Sequence, residues 1–358
     1  MTTRAELKQL YNKGKKRKLL AIFSVFLAVI ITAIVSISFG AGSPRLPEAI
    51  QVIISHSFPF LNLDPGSSLA QTIIWDIRFP RVVLALVAGA GLAAAGVTMQ
   101  GILRNPLVSS YVLGISSAAG FGAALAIVFG IGLVSYVGGY LVIGNAFFFC
   151  LIAMIIVYSI ARLRGMSSET VILAGVAVGF LFSALLSLIQ YISPEDKAIS
   201  AIVFWLLGGL YGATWEKILI CLPIVAVSML LMMNQSWNIN IMSMGEDVAL
   251  SLGVNSKRVL TVNMLLETIA TAAIIAFTGI IGFVDLIAPH MARMLLGSDH
   301  RYLIPCSIGM GAFMLLASDT LARLIIMPTE LPVGILTSLL GVPFFIYLLV
   351  SKRRRSFG

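Results

Sequence analysis

The chain contains few charged residues for its length. Among its 358 residues, charged side chains account for 11%, hydrophobic residues account for 59%, and the mean hydropathy is +1.02. Soluble domains carry about 25% charged residues, so this composition excludes a large soluble domain. Runs of about 17–25 apolar residues, the length that crosses a bilayer, recur along the whole chain. The sequence therefore predicts an all-α polytopic membrane protein.

Cysteine and histidine are also scarce, with three residues of each type. No Cys-x-x-Cys pair or Cys/His cluster with metal-ligand spacing occurs, so we expect no bound metal or cofactor. The sequence also lacks a Gly-x-x-x-x-Gly-Lys-Ser/Thr phosphate loop and a His-Glu-x-x-His motif. A membrane-embedded enzyme and a haem-carrying subunit are both disfavoured.

Hydropathy and helix breakers divide the chain into about ten membrane segments. The eighth is short and contains Pro289, and a further short helix is expected in the segment AISAIVFWLLGGLYG, outside the bilayer core or re-entering it. The ten predicted segments are Leu19–Phe39, Val82–Ile102, Tyr111–Gly130, Val134–Ile160, Glu169–Ile192, Trp215–Met233, Val259–Thr278, Phe283–Leu296, Leu303–Arg323 and Val333–Val350.

The distribution of basic residues predicts that both termini lie in the cytoplasm. With that orientation, 18 of the 24 Lys and Arg residues fall on the inner side, which is the bias expected of cytoplasmic loops. Residues 1–18 and 351–358 are then basic cytoplasmic termini around one transmembrane domain, 19–350, with an outer loop at 40–80 and a cytoplasmic segment at 234–258. The positive charge therefore serves topology and lipid contact, and we expect no nucleic acid partner.

The cytoplasmic segment contains a short amphipathic element, MSMGEDVALSLGVNSKRV. Glu246 and Asp247 suit the first turn of a helix, Gly253 suits its end, and Ser256 can cap the helix that follows. Such an element between two spans suits either a groove on a cytoplasmic partner or the lipid surface. These physical features alone leave both alternatives open.

Several motifs resemble those of the ABC importer permeases for iron-siderophore, haem and vitamin B12. DVALSLG has the acid-x-Ala-x-x-x-Gly spacing with which such permeases contact their ATPase. Its flanking motifs make the resemblance specific, and their order and spacing hold from about Ile77 to the C-terminus. These motifs are RFPRVVLALVAGAGLAAAGVTMQGILRNPLV, GISSAAGFGAALA, TGIIGFVDLIAPHMARMLLGSDHR and ELPVGILTSLLGVPFF.

The resemblance implies a ten-span subunit of a binding-protein-dependent importer in a prokaryotic plasma (inner) membrane. Such a permease forms a homodimer or a heterodimer with a paralogue, binds two cytoplasmic ATPase subunits and receives cargo from an extracytoplasmic binding protein. ATP is used by the partner subunit, so the permease is not itself an enzyme. The expected cargo is a ferric siderophore, with cobalamin, haem or molybdate as alternatives, and an ion-coupled secondary transporter as a more remote alternative. The fifth and tenth spans are expected to line the pathway.

The resemblance also assigns roles to individual residues. Arg78, Arg81 and Arg323 are expected at the outer mouth, where they would dock carboxylates of the binding protein, although snorkelling to the interface is the simpler alternative. Contact with the ATPase is expected of six residues, with Val248, Ala249 and Leu252 as their buried face. The six are Glu246, Asp247, Val248, Ala249, Leu252 and Gly253.

Intramembrane polar residues form the last group of candidates. Glu267 lies about eight residues into the seventh span, where an ionised carboxylate is costly. It is expected either to pair with Arg293 on the next span or to act as a protonated, hydrogen-bonded structural group. Asp285 and Asp319 are expected near the outer ends of their spans, where water is available.

Overall fold

The computed structural model describes residues 4–40, 46–132, 140–326 and 329–355, and the regular secondary structure of these residues is helical, with no strand among them. A 3₁₀ turn at Pro59–Leu61 and a π-helical segment at Thr72–Arg78 interrupt the α-helices. The α-helices are α1 Arg4–Ser38, α2 Leu46–Ser57, α3 Ser68–Gln71, α4 Phe79–Ile102, α5 Ile115–Phe129, α6 Tyr140–Leu163, α7 Ser168–Ile192, α8 Asp196–Leu206, α9 Trp215–Asn234, α10 Ser236–Met242, α11 Glu246–Ser251, α12 Ser256–Thr278, α13 Val284–Leu296, α14 His300–Ile325 and α15 Val333–Arg355.

Seven helical stretches in the described part of the chain are long and apolar enough to cross a membrane. They include α1, α6, α7, α9, α12 and α14, together with the continuous helical stretch Ser68–Ile102 that ends in α4. A helix lies at each of the ten predicted positions, but α5 and α15 form only shorter apolar stretches, and α13 has 13 residues. Since a helix rises about 1.5 Å per residue, α13 is about 20 Å long, less than the bilayer core. The count of ten spans therefore stays a prediction.

Several predicted boundaries differ from the observed ones. The basic N-terminal residues belong to α1, because Lys and Arg continue a helix as readily as apolar residues do. The predicted fourth span begins at Val134, but 133–139 lie outside the described residues and α6 begins at Tyr140. The predicted outer loop at 40–80 contains α2 and α3, and it continues into α4 without a break. The short helix predicted after the fifth span is α8.

The helices divide into a buried centre and an outer layer. The stretch ending in α4 is 89% buried within its most apolar window, against 22% to 28% for α1, α6, α7 and α9. Small residues make this burial possible, because a Cβ atom added at Gly89 of α4 would lie 2.3 Å from the carbonyl oxygen of Gly311 in α14. Such contact between backbones is typical of helix packing in membranes. The helices α4, α12 and α14 therefore form the centre of the bundle.

Candidate transport chamber and coupling surfaces

A cavity of about 600 Å³ lies where several chain segments end inside the bundle. Its wall combines the loop before α5, the end of α8, the segment between α12 and α13, and the first turns of α15. Much of this lining is apolar, and its polar groups are hydroxyls and the carboxyl group of Asp285. The lining residues are Ser109, Ser110, Tyr111, Ser116, Leu206, Leu207, Ile280, Ile281, Gly282, Phe283, Asp285, Leu286, Gly334, Ile335, Ser338 and Leu339.

Two glycines with positive φ bring these segments together. Gly208, with φ +64°, follows α8, and an added Cβ would lie 2.2 Å from the Ile280 carbonyl oxygen. Gly279, with φ +68°, follows α12, and an added Cβ would lie 2.2 Å from the Trp205 carbonyl oxygen. Gly209 donates its backbone N–H to the Thr278 carbonyl at 2.7 Å. Residues with side chains would separate α8 from α12 here and open the wall of the chamber.

The structure corrects the expected environment of two aspartates. Asp285 is 3% exposed, and its Oδ2 accepts hydrogen bonds from the Ser110 N–H at 2.8 Å and the Ser110 hydroxyl at 2.7 Å. Asp319 is wholly buried and contacts arginines. Asp319 lies near the predicted outer end of α14, but the expected hydration of both carboxyl groups is wrong, because neighbouring segments supply the polar partners that water was expected to supply.

The predicted alternative in which Glu267 pairs with Arg293 is wrong. Glu267 is 1% exposed and accepts hydrogen bonds from the hydroxyls of Thr268 and Thr271 in its own helix, at 3.3 and 3.4 Å. Arg293 instead donates to Gln100 Oε1 at 3.1 Å. The hydrogen bonds to threonine agree with the structural alternative for Glu267.

The predicted pathway helices are placed differently with respect to the chamber. The first turns of α15 line it, as expected of the tenth span. No residue of α7 belongs to the chamber lining within the described part of the chain, and α7 instead carries large exposed side chains, including Leu173, Phe180 and Tyr191. Leu339 of α15 lines the chamber and is 64% exposed, so one wall lies at the surface of the single chain.

The three predicted docking arginines lie together at the end of the bundle that the charge distribution predicts to be outer, which we call the outer end, but they are 5% to 8% exposed. Arg81 of α4 contacts Asp319 of α14 at 2.9 Å through both Nε and Nη2, and its Nη1 contacts Glu330 at 2.6 Å. Arg323 lies 3.2 Å from the second oxygen of Asp319. We call Arg78, Arg81, Arg323, Asp319 and Glu330 the outer arginine cluster.

The same cluster attaches α1 to the centre of the bundle. Arg323 donates to the carbonyl and hydroxyl oxygens of Ser36 at 3.1 and 2.6 Å, and Arg78 donates to the Ile37 carbonyl at 2.8 Å. A guanidinium with several donors can satisfy a carboxylate and free helix-end carbonyls together. The arginines therefore have structural partners in addition to any docking role. Snorkelling to the interface does not describe them, because their guanidinium groups are buried among protein groups.

The predicted amphipathic helix is α11, and its end lies near the predicted position. Helical residues end at Ser251, and Gly253 with φ +79° reverses the chain while Val254 donates to the Ala249 carbonyl at 2.8 Å. This geometry is the usual glycine stop of a helix. Glu246 and Asp247 occupy the first turn, as predicted. The cap of α12 is Asn255, which accepts from the Arg258 N–H at 3.0 Å, so the prediction of Ser256 as cap is wrong by one residue.

The predicted buried face of α11 is divided between two environments. Ala249 is wholly buried against its own chain, in the same apolar core cluster as Met242 and Leu303. Val248 is 41% and Leu252 is 58% exposed. The prediction of one face shared by these residues is wrong for Ala249, because the short helix needs an anchor in its own bundle.

Two elements of this inner surface carry no functional signal in the sequence. A cleft of about 140 Å³ lies beside α11, with Arg104, Glu169, Glu246 and Lys257 in its wall. In addition, Asn240 of α10 contacts the start of α14. The sequence motif SDHR predicts a cap, and Asp299 does cap α14 by accepting from the Arg301 N–H at 3.2 Å. No local pattern indicates that Asn240 reaches it across 59 residues.

The carboxyl group of Asp299 is held in its ionised form. The Arg301 guanidinium, which donates to both of its oxygens at 3.0 and 2.7 Å, lowers the pKa of Asp299 below its usual range, and the Asn240 amide adds to this effect. Partial burial opposes the shift without cancelling it. A carboxylate is therefore present at the start of α14 at neutral pH.

The described part of the chain is thus a helical bundle with apolar spans, a chamber open at one wall and a short exposed helix. The model of the FecCD transport family matches residues 27–351. Over 333 residues, the molybdate import permease of Haemophilus influenzae is 36% identical, covering 93% of this chain and 96% of that protein. The Fe(3+)-citrate import permease of Bacillus subtilis is 35% identical over 346 residues, which are 96% of this chain and 98% of that protein. A solved structure of an inward-facing metal-chelate type ABC transporter matches with a TM-score of 0.80 and 34% identity. The match covers 92% of this chain and 98% of the chain in that structure.

The chain belongs to the FecCD transport family, the iron-siderophore, haem and vitamin B12 class of ABC importer permeases. It is a multi-pass membrane protein and a transport subunit.

Proposed function

We propose that this permease imports a metal chelate, with a ferric siderophore as the expected cargo. It receives this cargo from an extracytoplasmic binding protein and moves it by ATP-driven alternating access. The observation that carries this proposal is the chamber, whose lining is mostly apolar and whose polar groups are hydroxyls and one buried carboxyl group. A bulky chelate can pass such a wall without being trapped, since few groups can bond to it strongly. The similarity to metal-chelate and ferric citrate transporters supports this class of cargo.

A second cargo, molybdate, is favoured by one specific relative. The molybdate permease of H. influenzae is as similar as the ferric citrate permease, and its similarity extends over nearly the whole chain. Cobalamin and haem remain further cargoes of the class. Among the described residues, no lysine or arginine belongs to the wall of the chamber, and an oxyanion usually binds to such groups. This feature favours the chelate over molybdate.

We propose a dimer, either of two copies or with a paralogue, around the chamber. The support is the exposed Leu339 at the chamber edge and the exposed aromatic and aliphatic side chains of α7. A second subunit placed on this side would cover those apolar surfaces and close the chamber wall. Its membrane is the plasma (inner) membrane of a prokaryote.

We propose that two cytoplasmic ATPase subunits bind the dimer, one at the α11 of each subunit and the cleft beside it. The exposed Val248 and Leu252 supply apolar anchors, and Glu246 and Lys257 supply charges next to them. A short helix that presents apolar side chains to a groove is a common docking mode. Within this arrangement, Ala249 and Gly253 hold the shape of the element, whereas Glu246, Asp247, Val248 and Leu252 contact the partner.

The outer arginine cluster is proposed to receive carboxylates of the binding protein. The cluster contains three arginines and two carboxylates, and Asp319 and Glu330 pair with Arg81 and Arg323. Glu330 is the exposed member, with 44% of its side chain accessible, so an incoming carboxylate would reach Arg81 by replacing it. All three arginines also hold helices together, but Arg78→Gln leaves the ion pairs of Asp319 and Glu330 with Arg81 and Arg323 intact, so it is the sharper variant. Weaker stimulation of ATP hydrolysis by loaded binding protein is expected.

Reconstitution of the complete importer tests the proposed function. The permease would be co-expressed with an ATPase and a binding protein of this importer class from the same genome, placed in proteoliposomes, and assayed with ⁵⁵Fe-labelled ferrichrome, ⁹⁹Mo-molybdate, ⁵⁷Co-cobalamin and haem. We expect ATP-dependent uptake of the ferric chelate that is unaffected by collapse of a proton gradient. Uptake that requires the proton gradient and ignores ATP would contradict the proposal and favour an ion-coupled carrier. Uptake of molybdate alone would replace the chelate by the second cargo.

A further inference from the structure

The element between α9 and α12 is attached to the bundle at one polar contact. Asn240, in the last turns of α10, donates from Nδ2 to Asp299 Oδ1 at 2.8 Å. Its Oδ1 accepts from the backbone N–H of His300 at 2.8 Å and lies 2.8 Å from Nδ1 of the same histidine. A carboxylate can only accept and a backbone N–H can only donate, so the orientation of this amide is unambiguous. One side chain therefore bonds both residues at the start of α14.

A second contact joins the same two helices. The guanidinium group of Arg301 lies over the Trp237 ring, 5.2 Å from its centre, while it also holds Asp299 through two hydrogen bonds. Arginine stacked on an aromatic ring in this way contributes to stability. Trp237 and Asn240 are three residues apart and so lie on the same side of α10. One side of α10 is therefore attached to the first turn of α14.

The link from α11 to α10 is short and tightly packed. Three residues separate the two helices, and Gly245 donates to the Met242 carbonyl at 3.2 Å. Ala249 of α11 and Met242 of α10 are buried in one apolar core cluster. Protein cores have little free volume, so a displacement of α11 must displace α10 as well.

From that point, α14 reaches the outer side as one helix of 26 residues, or about 39 Å. Near its middle, Gly311 is in contact with the backbone of α4 at Gly89. At its outer end, Asp319 holds Arg81 of α4, and Arg323 holds Ser36 of α1. The helix is thus joined by polar contacts to α10 at its inner end and to α4 and α1 at its outer end.

We infer that α14 transmits displacement of the cytoplasmic element to the outer mouth, and that Asn240 is the positioning residue that joins the element to this helix. This inference rests on the proposed ATPase contact at α11. The competing route is α12, which follows α11 in the chain. That route passes through the turn Gly253–Asn255, and α12 shares the apolar core cluster of Ala249 through Val259 and Leu260. The route through α10 adds to such packing the polar contact of Asn240 and the ring contact of Trp237 with the start of α14.

The test measures motion at the outer end of α14 in the assembled transporter. A spin label would be placed at Ile325→Cys, a position 55% exposed, and the distance between two copies would be measured with and without ATP plus vanadate. The native cysteines, Cys150, Cys221 and Cys306, are all buried, which favours labelling at the engineered position. Vanadate trapping by the ATPase subunits would be measured in the same samples.

Three variants separate a joint from a merely stabilising contact. Asn240→Ala removes the side-chain bonds from this residue to Asp299 and His300, and we expect vanadate trapping to persist while the nucleotide-induced distance change is lost. Asn238→Ala is the matched control, because its amide donates to Gln235 beside the same helix, and the change should be retained. Asn240→Asp combined with Asp299→Asn exchanges donor and acceptor across one contact and should restore the change.

Each other outcome overturns the inference. A full distance change in Asn240→Ala would show that α12 transmits the displacement. No change in the unmodified transporter, with ATP-driven uptake intact, would show that α14 is static and leave the proposed function standing. Absence of ATP-driven uptake would remove the proposed function itself, and the inference with it.

Discussion

The two ends of α14 use charged groups in different ways. At the outer end, Asp319 is wholly buried between Arg81 and Arg323, and the helices α1, α4 and α14 meet around it. At the inner end, Asp299 is partly exposed and its partners, Asn240 and Arg301, lie at the edge of the bundle. The outer contacts hold helices within the bundle, whereas the inner contacts hold a small element to it.

This difference predicts how much stability each set of charged contacts contributes. Breaking a buried ion pair costs several kcal/mol because a charge is left without a partner, whereas an exposed pair contributes at most about 1 kcal/mol. The outer end should therefore move as one unit. At the inner end, loss of a charged contact should cost less stability, although these contacts still join α10 to α14. The following predictions test this contrast, beginning with the largest expected effect.

Asp319→Asn should cause the largest loss of stability in the permease. It removes the charge that compensates two buried arginines, and loss of one member of such a group costs about 3–5 kcal/mol. Thermal unfolding in detergent, with Glu330→Gln as control, measures the effect. Glu330 contacts the same Arg81 but is 44% exposed, so its variant should lose about 1 kcal/mol or less. Equal losses would show that burial does not distinguish the two carboxylates.

Ala249→Arg should come next, with a loss of about 3 kcal/mol or more. A long charged side chain would enter a wholly buried site at the inner end, which combines overpacking with an unpaired charge. Leu252→Arg, at a position 58% exposed, should leave the unfolding temperature of the isolated permease nearly unchanged and weaken co-purification of the ATPase. Normal stability of Ala249→Arg would contradict the assigned burial of Ala249.

Glu267→Gln should have an effect of about 1 kcal/mol or less. Glu267 lies in α12 and accepts hydrogen bonds from two threonine hydroxyls. The side-chain carbonyl of a glutamine can accept the same hydrogen bonds. Uptake in proteoliposomes should remain normal. Loss of transport in a stable variant would mean that the carboxyl group itself takes part in the cycle.

The lowered pKa of Asp299 predicts a small effect of pH on the stability of the inner end. Its folded pKa is lowered by Arg301, so its contribution to stability is complete above the unfolded value of about 3.9 and is lost as pH falls towards the folded pKa. The difference in unfolding temperature between the wild type and Asp299→Asn should be constant from pH 7 to 5 and shrink below pH 4. A difference that already changes between pH 7 and 5 would assign the effect to another group.

Local patterns in the sequence predict much of the fold. Long apolar runs predict spans because a backbone in lipid must satisfy its own hydrogen bonds, and the helices at the ten predicted positions follow from this requirement. The glycine stop at Gly253 and the acidic first turn of α11 depend only on neighbouring residues, and both predictions are confirmed. The predicted cap of α12 is wrong by one residue because Asn and Ser are nearly equal as caps.

Predictions about partners in space are less accurate. Glu267 and Arg293 lie on consecutive helices, α12 and α13, but each bonds elsewhere because helix rotation, not order in the chain, decides which side chains meet. The prediction of a partner-facing Ala249 is wrong because helical spacing identifies an apolar face but not what covers it. The three outer arginines lie at the predicted end of the bundle, but local sequence does not indicate their burial.

The sequence by itself determined that this chain is a membrane permease and predicts that its basic face lies inward, since hydropathy, charge bias and family motifs are properties of residues in order. Tertiary structure decided which polar groups pair. Arg81 meets Asp319 across 238 residues, and Asn240 meets His300 across 60. The physical reason is that a buried charge or amide must find a partner, and only the packing of the helices determines which groups lie within hydrogen-bond distance.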